Sequence, residues 1–404
     1  MLAYSIPFSI DHSSADHSPD FFLQFPAAPA VFLLRGADPS AEPYAAKTAN
    51  LRKRLLRLLA PPESQSRRLN LRDRVAQIDY SLTGSDFESG VLLYSVLRQA
   101  FPKTYQKRLR LRAAPLIKLN LDNAYPRAYV TTKIGRLTGR SRYYGPFRSR
   151  VVTEKFLNDS LDLFKMRRCT FELNPDPAFP GCVYSEMKMC LAPCFKGCTD
   201  EAYAVEVARV QAYLDSCGQS LLGEMESERE RLSTALDFEG AAQQHAKITK
   251  IKSILSACDE IYSRLDQLDA VIIQPSATAN AISLFRFNKG NLAGPELFPV
   301  PAANEGQTTE PIEPRLRDTL QNLAPDKTNS AQQFAEELAI LKRWYYRTHK
   351  VGEVIFARQD GELPMRRIAN AVGRVSRGER LAGEEVSAVA DSTPLPTSES
   401  PKNL

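Results

Sequence analysis

The sequence predicts a multidomain α+β protein, and three observations support this fold class. Short apolar segments bounded by proline or glycine alternate with helical patterns near both ends of the chain. Five of the seven cysteines lie together between residues 169 and 198. A purely helical pattern follows, over residues 199–258. A length of 404 residues allows two or three domains with sizeable cores.

Composition and the N-terminal residues indicate a cytoplasmic protein with no membrane partner. The chain is 43% hydrophobic and 25% charged, which is ordinary for a soluble globular protein. No apolar run is long enough to span a membrane. The first twenty residues lack the basic segment and the small-residue cleavage site of an export signal.

Charge is distributed unevenly along the chain. The net charge is +6, but residues 47–168 contain 27 Lys and Arg against 9 Asp and Glu, so the rest of the chain carries about −12. A single charged run is usually only a solvated face. An excess sustained over so many residues favours nucleic acid as a partner.

The first hundred residues predict a small α+β unit. Residues 1–24 are predicted to be an irregular extension, and the apolar run after Pro26 to be a strand. A helix follows Asn50, its N-cap, with an apolar face formed by Leu51, Leu55, Leu58 and Leu59. A second helix is predicted from Asp86 to about Ala100.

The cysteine cluster predicts a metal centre. Cys169, Cys182, Cys190 and Cys194 are followed closely by Cys198. In a reducing cytosol, closely spaced cysteines more often bind metal than form disulfides. A set of four thiolates suits either zinc or an iron–sulfur cluster, and the spacing does not choose between them.

The segments around the cluster are predicted as follows. Residues 125–133 form a strand, and residues 138–147 form an Arg-rich loop whose aromatic side chains suit exposed bases. Residues 199–216 form a helix, and residues 220–257 form a helical hairpin whose second arm starts after Asp237. Beyond it, the strands are 269–277, 282–292 and 353–357, residues 294–328 form a loop, and Phe334, Leu338, Leu341 and Tyr345 mark a helix.

The N-terminal segment is similar to the GIY-YIG endonuclease domain of the UvrC family of excinucleases. The run PAVFLLRGAD is followed by YAAKTANLRKRLLRLL, where Tyr44, Lys47, Asn50, Leu51, Arg52 and Arg54 fall on family positions. This resemblance implies that Tyr44, Lys47 and Arg54 form a catalytic site. Arg52 and Lys53, which belong to the basic segment, are predicted to contact DNA.

Two replacements depart from the family pattern. Phe32 stands where the family has its first tyrosine, and Leu93 stands where the family has the glutamate that binds Mg²⁺. Glu88 lies five residues earlier, on a different face of the helix. Cleavage of a phosphodiester needs a polarised phosphate and stabilised charge on the leaving oxygen. We therefore expect a dead or severely weakened nuclease, in which Mg²⁺ has lost its ligand.

The middle of the chain also resembles the UvrC family. The run YYGPF at 143–147 matches a family motif. Arg140, Arg142 and Arg148 are predicted to contact DNA, because arginines pair with phosphates; the alternative is a structural turn with solvated arginines. Arg168-Cys169, Gly181-Cys182 and Met189-Cys190-Leu-Ala-Pro-Cys194 follow the order of the four family cysteines. The resemblance implies that these four hold an iron–sulfur cluster of the 4Fe–4S type, with zinc as the alternative, and that Cys198 is spare.

The hairpin resembles the UVR motif, through which this family associates with UvrB. LDFEGAAQQHAKITKIKSI follows the pattern LxFExAAxxRDxIxxL, except that His245-Ala246 replaces the Arg-Asp pair. The resemblance implies a UvrB-type partner, contacted through Phe238, Glu239 and Ala242. The alternative is that the hairpin is only a structural arm.

The resemblance covers about residues 25–360, and it divides the chain into six predicted segments. These are an extension (1–24), a degenerate GIY-YIG-like domain (25–101), a basic DNA-binding and cysteine-cluster domain (102–198), a helical region with the UVR hairpin (199–258), an α+β region (259–384) and a disordered tail (385–404). The family's RNase H-like nuclease and its helix-hairpin-helix elements have no counterpart in the sequence.

Three functions compete at this point. The first is a nucleotide-excision-repair protein that binds damaged DNA and a UvrB-type partner without an active nuclease. The second is an active GIY-YIG-type endonuclease that makes a single incision. The third is a zinc-stabilised nucleic-acid-binding module unrelated to repair. Resemblance in four separate segments disfavours the third, and the replacements at Phe32 and Leu93 favour the first.

Overall fold

The computed structural model describes residues 2–7, 19–38, 40–61, 69–135, 139–300, 312–323, 330–358 and 360–379. In this part of the chain, three antiparallel four-stranded sheets are surrounded by helices, which confirms the α+β class. The predicted tail at 385–404 lies outside the described residues, and the division into six segments stays a prediction. No helix within the described ranges combines the length and the apolar character needed to cross a membrane.

The first sheet is built from the N-terminal residues. Its strand order is β1-β4-β2-β3, where β1 is Tyr4–Pro7, β2 is Ala30–Arg35, β3 is Tyr44–Thr48 and β4 is Gln77–Leu82. The strand β1 falls within residues 1–24, where an irregular extension was expected, and a short 3₁₀ helix forms at Pro19–Gln24. Phe22 and Phe25 are buried in the core of this sheet. Apolar side chains therefore bind the described part of this extension to the domain.

Two helices cover the two faces of the first sheet. The helix α1 (Leu51–Leu59) begins at Asn50, whose side chain accepts from Lys53 N, and its four leucines are buried as predicted. The helix α2 (Asp86–Ala100) has the predicted bounds, because Ser85 caps its N-terminus by accepting from Glu88 N. Another short 3₁₀ helix forms at Arg72–Arg74.

The second sheet lies in the basic segment and has the strand order β6-β5-β7-β8. Its strands are β5 (Leu116–Asn120), β6 (Arg127–Thr131), β7 (Arg142–Gly145) and β8 (Ser263–Arg264); the helices α3 (Tyr105–Leu109) and α4 (Arg150–Leu161) belong to the same segment. Part of the predicted Arg-rich loop is thus the strand β7, in which Tyr143 and Tyr144 are buried. These two rings are core residues, so they are not available to stack on bases.

The cysteine loop and the helices follow. They comprise α5 (Val183–Glu186), a 3₁₀ turn at Pro193–Phe195, α6 (Asp200–Asp215), α7 (Gln219–Thr234) and α8 (Phe238–Leu255). Asp237 caps α8 as predicted, by accepting from Gly240 N. Gly218 separates α6 from α7 with a φ of +78°, and a Cβ there would lie 2.4 Å from Leu255 Cδ2. The hairpin therefore needs glycine at its base.

The third sheet is formed by the C-terminal part and has the order β11-β10-β9-β12. Its strands are β9 (Asp269–Pro275), β10 (Ala281–Asn288), β11 (Asn291–Pro299) and β12 (Glu353–Phe356), with the helices α9 (Ile312–Asn322), α10 (Ala331–Tyr345) and α11 (Met365–Ser376). The loop predicted for 294–328 is wrong in its described part, since β11 continues to Pro299 and α9 lies beyond it. Apolar spacing in α9 buries Leu316 and Leu320 against the sheet.

The helix α2 joins the first and third sheets. Val96 packs with Val31 and Leu33 of β2 on one side. On the other side, the Phe87 ring lies 5.1 Å from the rings of both Phe285 in β10 and Trp344 in α10. The helix α2 therefore carries Leu93, which stands at the position of the family's metal-binding glutamate. The same helix also contacts the C-terminal region.

Candidate functional site

The four predicted metal-binding cysteines converge on one small cavity. Cys169, Cys182, Cys190 and Cys194 line it, together with Arg167, Arg168 and Tyr184. The loop that brings them together contains three residues in the left-handed conformation, namely Lys188, Ala192 and Lys196. Such tight reversals allow side chains from a short stretch to face one point. Cys198 is absent from this lining and packs against the core of the helical region.

Hydrogen-bond donors point at two of the sulfurs. Arg167 Nη1 donates to Cys169 Sγ at 3.4 Å, and Ala192 N donates to Cys190 Sγ at 3.3 Å. Arg167 is only 1% exposed, and it also donates to the carbonyl oxygens of Tyr125 and Phe171. Donors of this kind stabilise thiolates and tune a metal centre bound to them.

Burial disfavours ionisation of these thiols when no cation is bound. It raises the pKa of Cys190 to about 11, and the neighbouring Cys169, Cys194 and Cys182 act in the same direction against the Ala192 N–H. Burial also raises the pKa of Cys194. In the described residues, no three Cys, His, Asp or Glu side chains already have the spacing of a metal site. Four soft donors with N–H groups aimed at the sulfurs nevertheless fit a centre that supplies positive charge.

The predicted catalytic residues Tyr44 and Lys47 lie on β3, the edge strand of the first sheet, and Arg54 lies on the following helix α1. Arg54 Nη2 donates to Tyr44 Oη at 2.9 Å, which brings together two of the three. Lys47 Nζ instead donates to Asp86 Oδ1 at 2.5 Å. Phe32 is buried, with its ring centre 6.1 Å from that of Tyr44. Tyr44 and Arg54 thus form a hydrogen-bonded pair, and Phe32 offers no hydroxyl.

The carboxylates near this site are already engaged. Leu93 packs in the apolar cluster of Val31 and Leu33, so its position supplies no ligand for a divalent ion. Glu88 accepts from Gly84 N at 2.8 Å and from Ser283 Oγ at 3.5 Å. Burial raises the pKa of Glu88 above its usual value. Glu88 therefore helps to join the first and third sheets and does not replace the missing glutamate.

Two contacts of the predicted site residues, one of Lys47 and one of Cys169, were not predicted from the sequence. Asp86 binds both Lys47 and Arg347, and Arg347 comes from the C-terminal region. No local pattern marks a pair so far apart in the chain. Arg167 was also missed as a contact of Cys169, although it lies only two residues before it in the chain.

The predicted DNA-contacting residues differ in their availability. Lys53, Arg140 and Arg148 are exposed. Arg52 donates from Nε to Phe25 O at 2.8 Å and from Nη2 to Leu23 O at 3.2 Å, so it stabilises the N-terminal 3₁₀ helix. Arg142 is half-buried and donates from Nη1 to Gly139 O at 3.0 Å. Its Nε has no hydrogen-bond partner among the described residues.

The outer end of the hairpin presents apolar side chains to solvent. Phe238 is 68% exposed and Leu236 is 72% exposed, whereas the inner end buries Ile248, Ile251 and Ile254. Glu239 and Ala242 are also exposed. Phe238 is therefore free to contact another molecule, and the hairpin closes without burying its ring.

Comparisons with known proteins address the middle of the chain directly. Residues 114–213, which run from the second sheet through the cysteine loop to α6, match the family described as "UvrC/Cho excinuclease, middle domain". The fold and the cysteine loop thus define a protein built on a UvrC-type middle domain. No solved structure matches the chain significantly.

Curated relatives extend the match. The chain is 26% identical over 276 residues to the "UvrABC system protein C" of Methanothermobacter thermautotrophicus, covering 68% of the chain and 46% of that protein. It is 29% identical over 217 residues to the same-named protein of Idiomarina loihiensis, covering 52% and 34%. The middle of the chain thus matches the UvrC-type family model, and up to 68% of the chain is similar to proteins named UvrABC system protein C. The chain spans less than half of the length of these relatives.

Proposed function

We propose that this chain acts in nucleotide excision repair in the cytoplasm, as a protein that binds damaged DNA and a UvrB-type partner but does not cut DNA itself. Its relatives are named for the UvrABC system, which supports the repair setting. The single observation that carries the non-catalytic role is Leu93, an apolar side chain packed against β2 at the position where the resembled family has its metal-binding glutamate.

Electrostatics at the site support this proposal. The nearby Asp86 is shared between Lys47 and Arg347, and Glu88 is held by Gly84 and Ser283. Neither carboxylate is left free to bind a divalent cation. Loss of one electrostatic element from an active site typically reduces the rate by roughly 10²–10³.

The cysteine cavity supports a resident centre, and we favour a 4Fe–4S cluster over zinc. Cys169, Cys182, Cys190 and Cys194 would hold it, and Arg167 would orient Cys169 through its hydrogen bond to Sγ. Bound there, a cluster would supply positive charge to four thiolates and join residues that are far apart in the loop.

An active endonuclease is the second candidate, because Tyr44 and Arg54 remain hydrogen-bonded and Lys47 lies on the same sheet. A nicking assay separates the two functions. The substrate is a lesion-bearing duplex with UvrA, UvrB and either Mg²⁺ or Mn²⁺, compared with the same duplex without a lesion.

We expect no nicking by the natural protein, since Leu93 supplies no carboxylate and both Asp86 and Glu88 are held by other residues. The double change Leu93→Glu and Phe32→Tyr is expected to restore weak cleavage, and adding Arg54→Ala should abolish it again. Robust metal-dependent nicking by the natural protein that is lost in Arg54→Ala would establish the active enzyme instead.

A further inference from the structure

Two cysteines lie outside the cysteine loop, at the base of the helical hairpin. Cys217 stands in the turn between α6 and α7, and Cys258 follows the end of α8. The whole hairpin therefore lies between them in the sequence. Neither of them lines the cysteine cavity, so the proposed metal centre leaves both thiols without a role.

The fold brings these two cysteines together. Gly218, the neighbour of Cys217, lies so close to Leu255 that a Cβ on it would come within 2.4 Å of Leu255 Cδ2. Cys258 N in turn donates to Leu255 O at 2.9 Å. The start and the end of the hairpin thus lie side by side, and the two thiols are in hydrogen-bond contact.

The backbone around this pair is held in place on both sides. Tyr262 Oη donates to Leu214 O at 2.9 Å, which joins the segment after α8 to the end of α6. Gly218 N donates to Tyr213 O at 2.7 Å. Cys217 itself has a φ of +47°, in the left-handed region that residues other than glycine rarely adopt. Such conformations persist only where the surrounding structure fixes them, and they cluster at functional positions.

Both thiols are half-buried, so a small reagent can reach them. A disulfide bond is about 2 Å long, and thiols that already touch need only small movements to form one. We propose that Cys217 and Cys258 form a reversible disulfide, which clamps the base of the hairpin when small-molecule disulfides accumulate around the protein. Under reducing conditions the pair stays as two thiols.

A small-molecule disulfide is the oxidant in this reaction. Contact with Cys258 lowers the pKa of the Cys217 thiol, whereas the same contact and burial raise the pKa of Cys258. Cys217 therefore loses its proton first and attacks one sulfur of the reagent, whose S–S bond breaks and releases one thiolate. Cys258 then loses its proton and attacks Cys217 Sγ, which releases the second thiolate. The two cysteines give up two electrons to the reagent, and the two released thiolates take up the two protons.

The disulfide does not depend on the proposed repair function, because it needs only these two thiols. A cross-link between the ends of a segment restricts the unfolded conformations of that segment. Here the segment is the hairpin formed by α7 and α8, whose tip carries the exposed Phe238. The two helices should therefore open less often when the disulfide is present.

Peptide mapping tests the disulfide directly. The full chain, purified without oxygen, is equilibrated with mixtures of reduced and oxidised glutathione, and the remaining thiols are alkylated before digestion with trypsin. Trypsin leaves Cys217 in the peptide 210–229 and Cys258 in the peptide 253–264, and neither peptide contains another cysteine. We expect these two peptides to be linked, with a mass two hydrogens below their sum, and to separate on reduction with dithiothreitol.

Single replacements separate the roles of the two thiols. Cys258→Ser should leave Cys217 as a mixed disulfide with glutathione, because the second attack is lost. Cys217→Ser should leave Cys258 mostly alkylated, because the first attack is lost. Cys198→Ser, which removes a cysteine outside the pair, is the control and should keep the linked peptides.

Hydrogen exchange measures the clamp. The amides of α7 and α8 should exchange more slowly in the oxidised than in the reduced natural protein, and this difference should vanish in Cys217→Ser. The proposal is overturned if the two peptides stay unlinked at every glutathione ratio, or if they link only after unfolding in urea. It is also overturned if glutathione attaches to Cys258 instead of Cys217 in the single variants, or if oxidation leaves the exchange of the hairpin unchanged.

Discussion

At the scale of single residues, the buried side chain of Arg167 has the clearest effect on the cysteine cavity. Arg167 is a buried cation whose donors are satisfied by two carbonyl oxygens and one sulfur. A buried charge without a partner is strongly unfavourable, so Arg167 needs electron-rich groups around it. Cys169 supplies one, and its sulfur is a better acceptor as a thiolate. A thiolate-bound centre, if held there as proposed, would therefore stabilise this arginine and be stabilised by it.

The four cavity cysteines should be distinguishable from the others by metal analysis. Replacing any one of Cys169, Cys182, Cys190 or Cys194 by Ala should remove the iron and the broad visible absorbance of protein purified without oxygen, because each lines the cavity. Cys198→Ala is the control and should keep both, since Cys198 packs against the helical core. Near-stoichiometric zinc without iron in the natural protein would contradict the cluster.

At the scale of elements, the hairpin formed by α7 and α8 separates a buried base from an exposed tip. Ile248, Ile251 and Ile254 attach its base to the core of the middle region. Phe238 lies at the tip, at the first position of α8. An aromatic side chain held out from a rigid helical arm is typical of an interface anchor.

Phe238→Ala should weaken association with a UvrB-type partner by about 2 kcal/mol, in the range of an interface hot spot. Since the ring is mostly exposed in the chain alone, the helix content measured by circular dichroism should stay unchanged. The matched control is Val205→Ala on α6, another exposed apolar side chain away from the tip. Loss of helix together with binding would indicate that Phe238 only closes the hairpin.

Local chemistry explains which elements the sequence predicted well. The bounds of α2 and the start of α8 follow from Ser85 and Asp237, whose side chains cap the helices within three residues. The strand β7 was missed because the arginines and glycines in and just before it are typical of a loop. Pairing with β5, some 25 residues earlier, makes it a strand, since Ile117 lies opposite Tyr144.

Site residues were predictable to the extent that they belong to a short motif. Tyr44 and Arg54 are ten residues apart and do meet, and the cysteines converge because their loop is short. The pairing of Asp86 with Arg347 depends on how α10 packs against α2, which no local pattern specifies. This ion pair could be found only from the structure.

At the scale of the whole molecule, the first and third sheets meet closely at Gly84. A Cβ at this position would lie 2.1 Å from Pro275 O at the end of β9. Glu88 reinforces the contact through Gly84 N and Ser283. The first sheet and the C-terminal region are therefore held at a fixed distance from each other at this point.

Gly84→Ala should lower the free energy of unfolding by about 1–3 kcal/mol, the range of an overpacked core. Gly223→Ala on α7 is the control, because a Cβ there meets nothing within 4 Å and alanine favours the helix. Chemical denaturation measures both. Equal stability of the two variants would contradict the close approach of the sheets.

The distribution of charge over the whole molecule predicts how it binds DNA. Residues 47–168 carry the excess of positive charge, and within them Arg140 and Arg148 are exposed on either side of β7. Arg142 lies between them in sequence, but its side chain donates a hydrogen bond to Gly139 O and so has a structural role. Phosphate contacts release counter-ions, so binding should be salt-dependent and largely independent of sequence.

Arg140→Glu together with Arg148→Glu should therefore weaken binding to duplexes of unrelated sequence alike. Each phosphate contact that is lost should reduce the slope of log affinity against log salt by about 1. The measurement is fluorescence anisotropy over a range of salt concentrations. Lys247→Glu, an exposed charge reversal on α8 outside the basic segment, is the control and should leave the slope unchanged. If the double variant binds like this control at every salt concentration, the exposed arginines beside β7 do not contact DNA, and the positive charge of this segment serves another ligand.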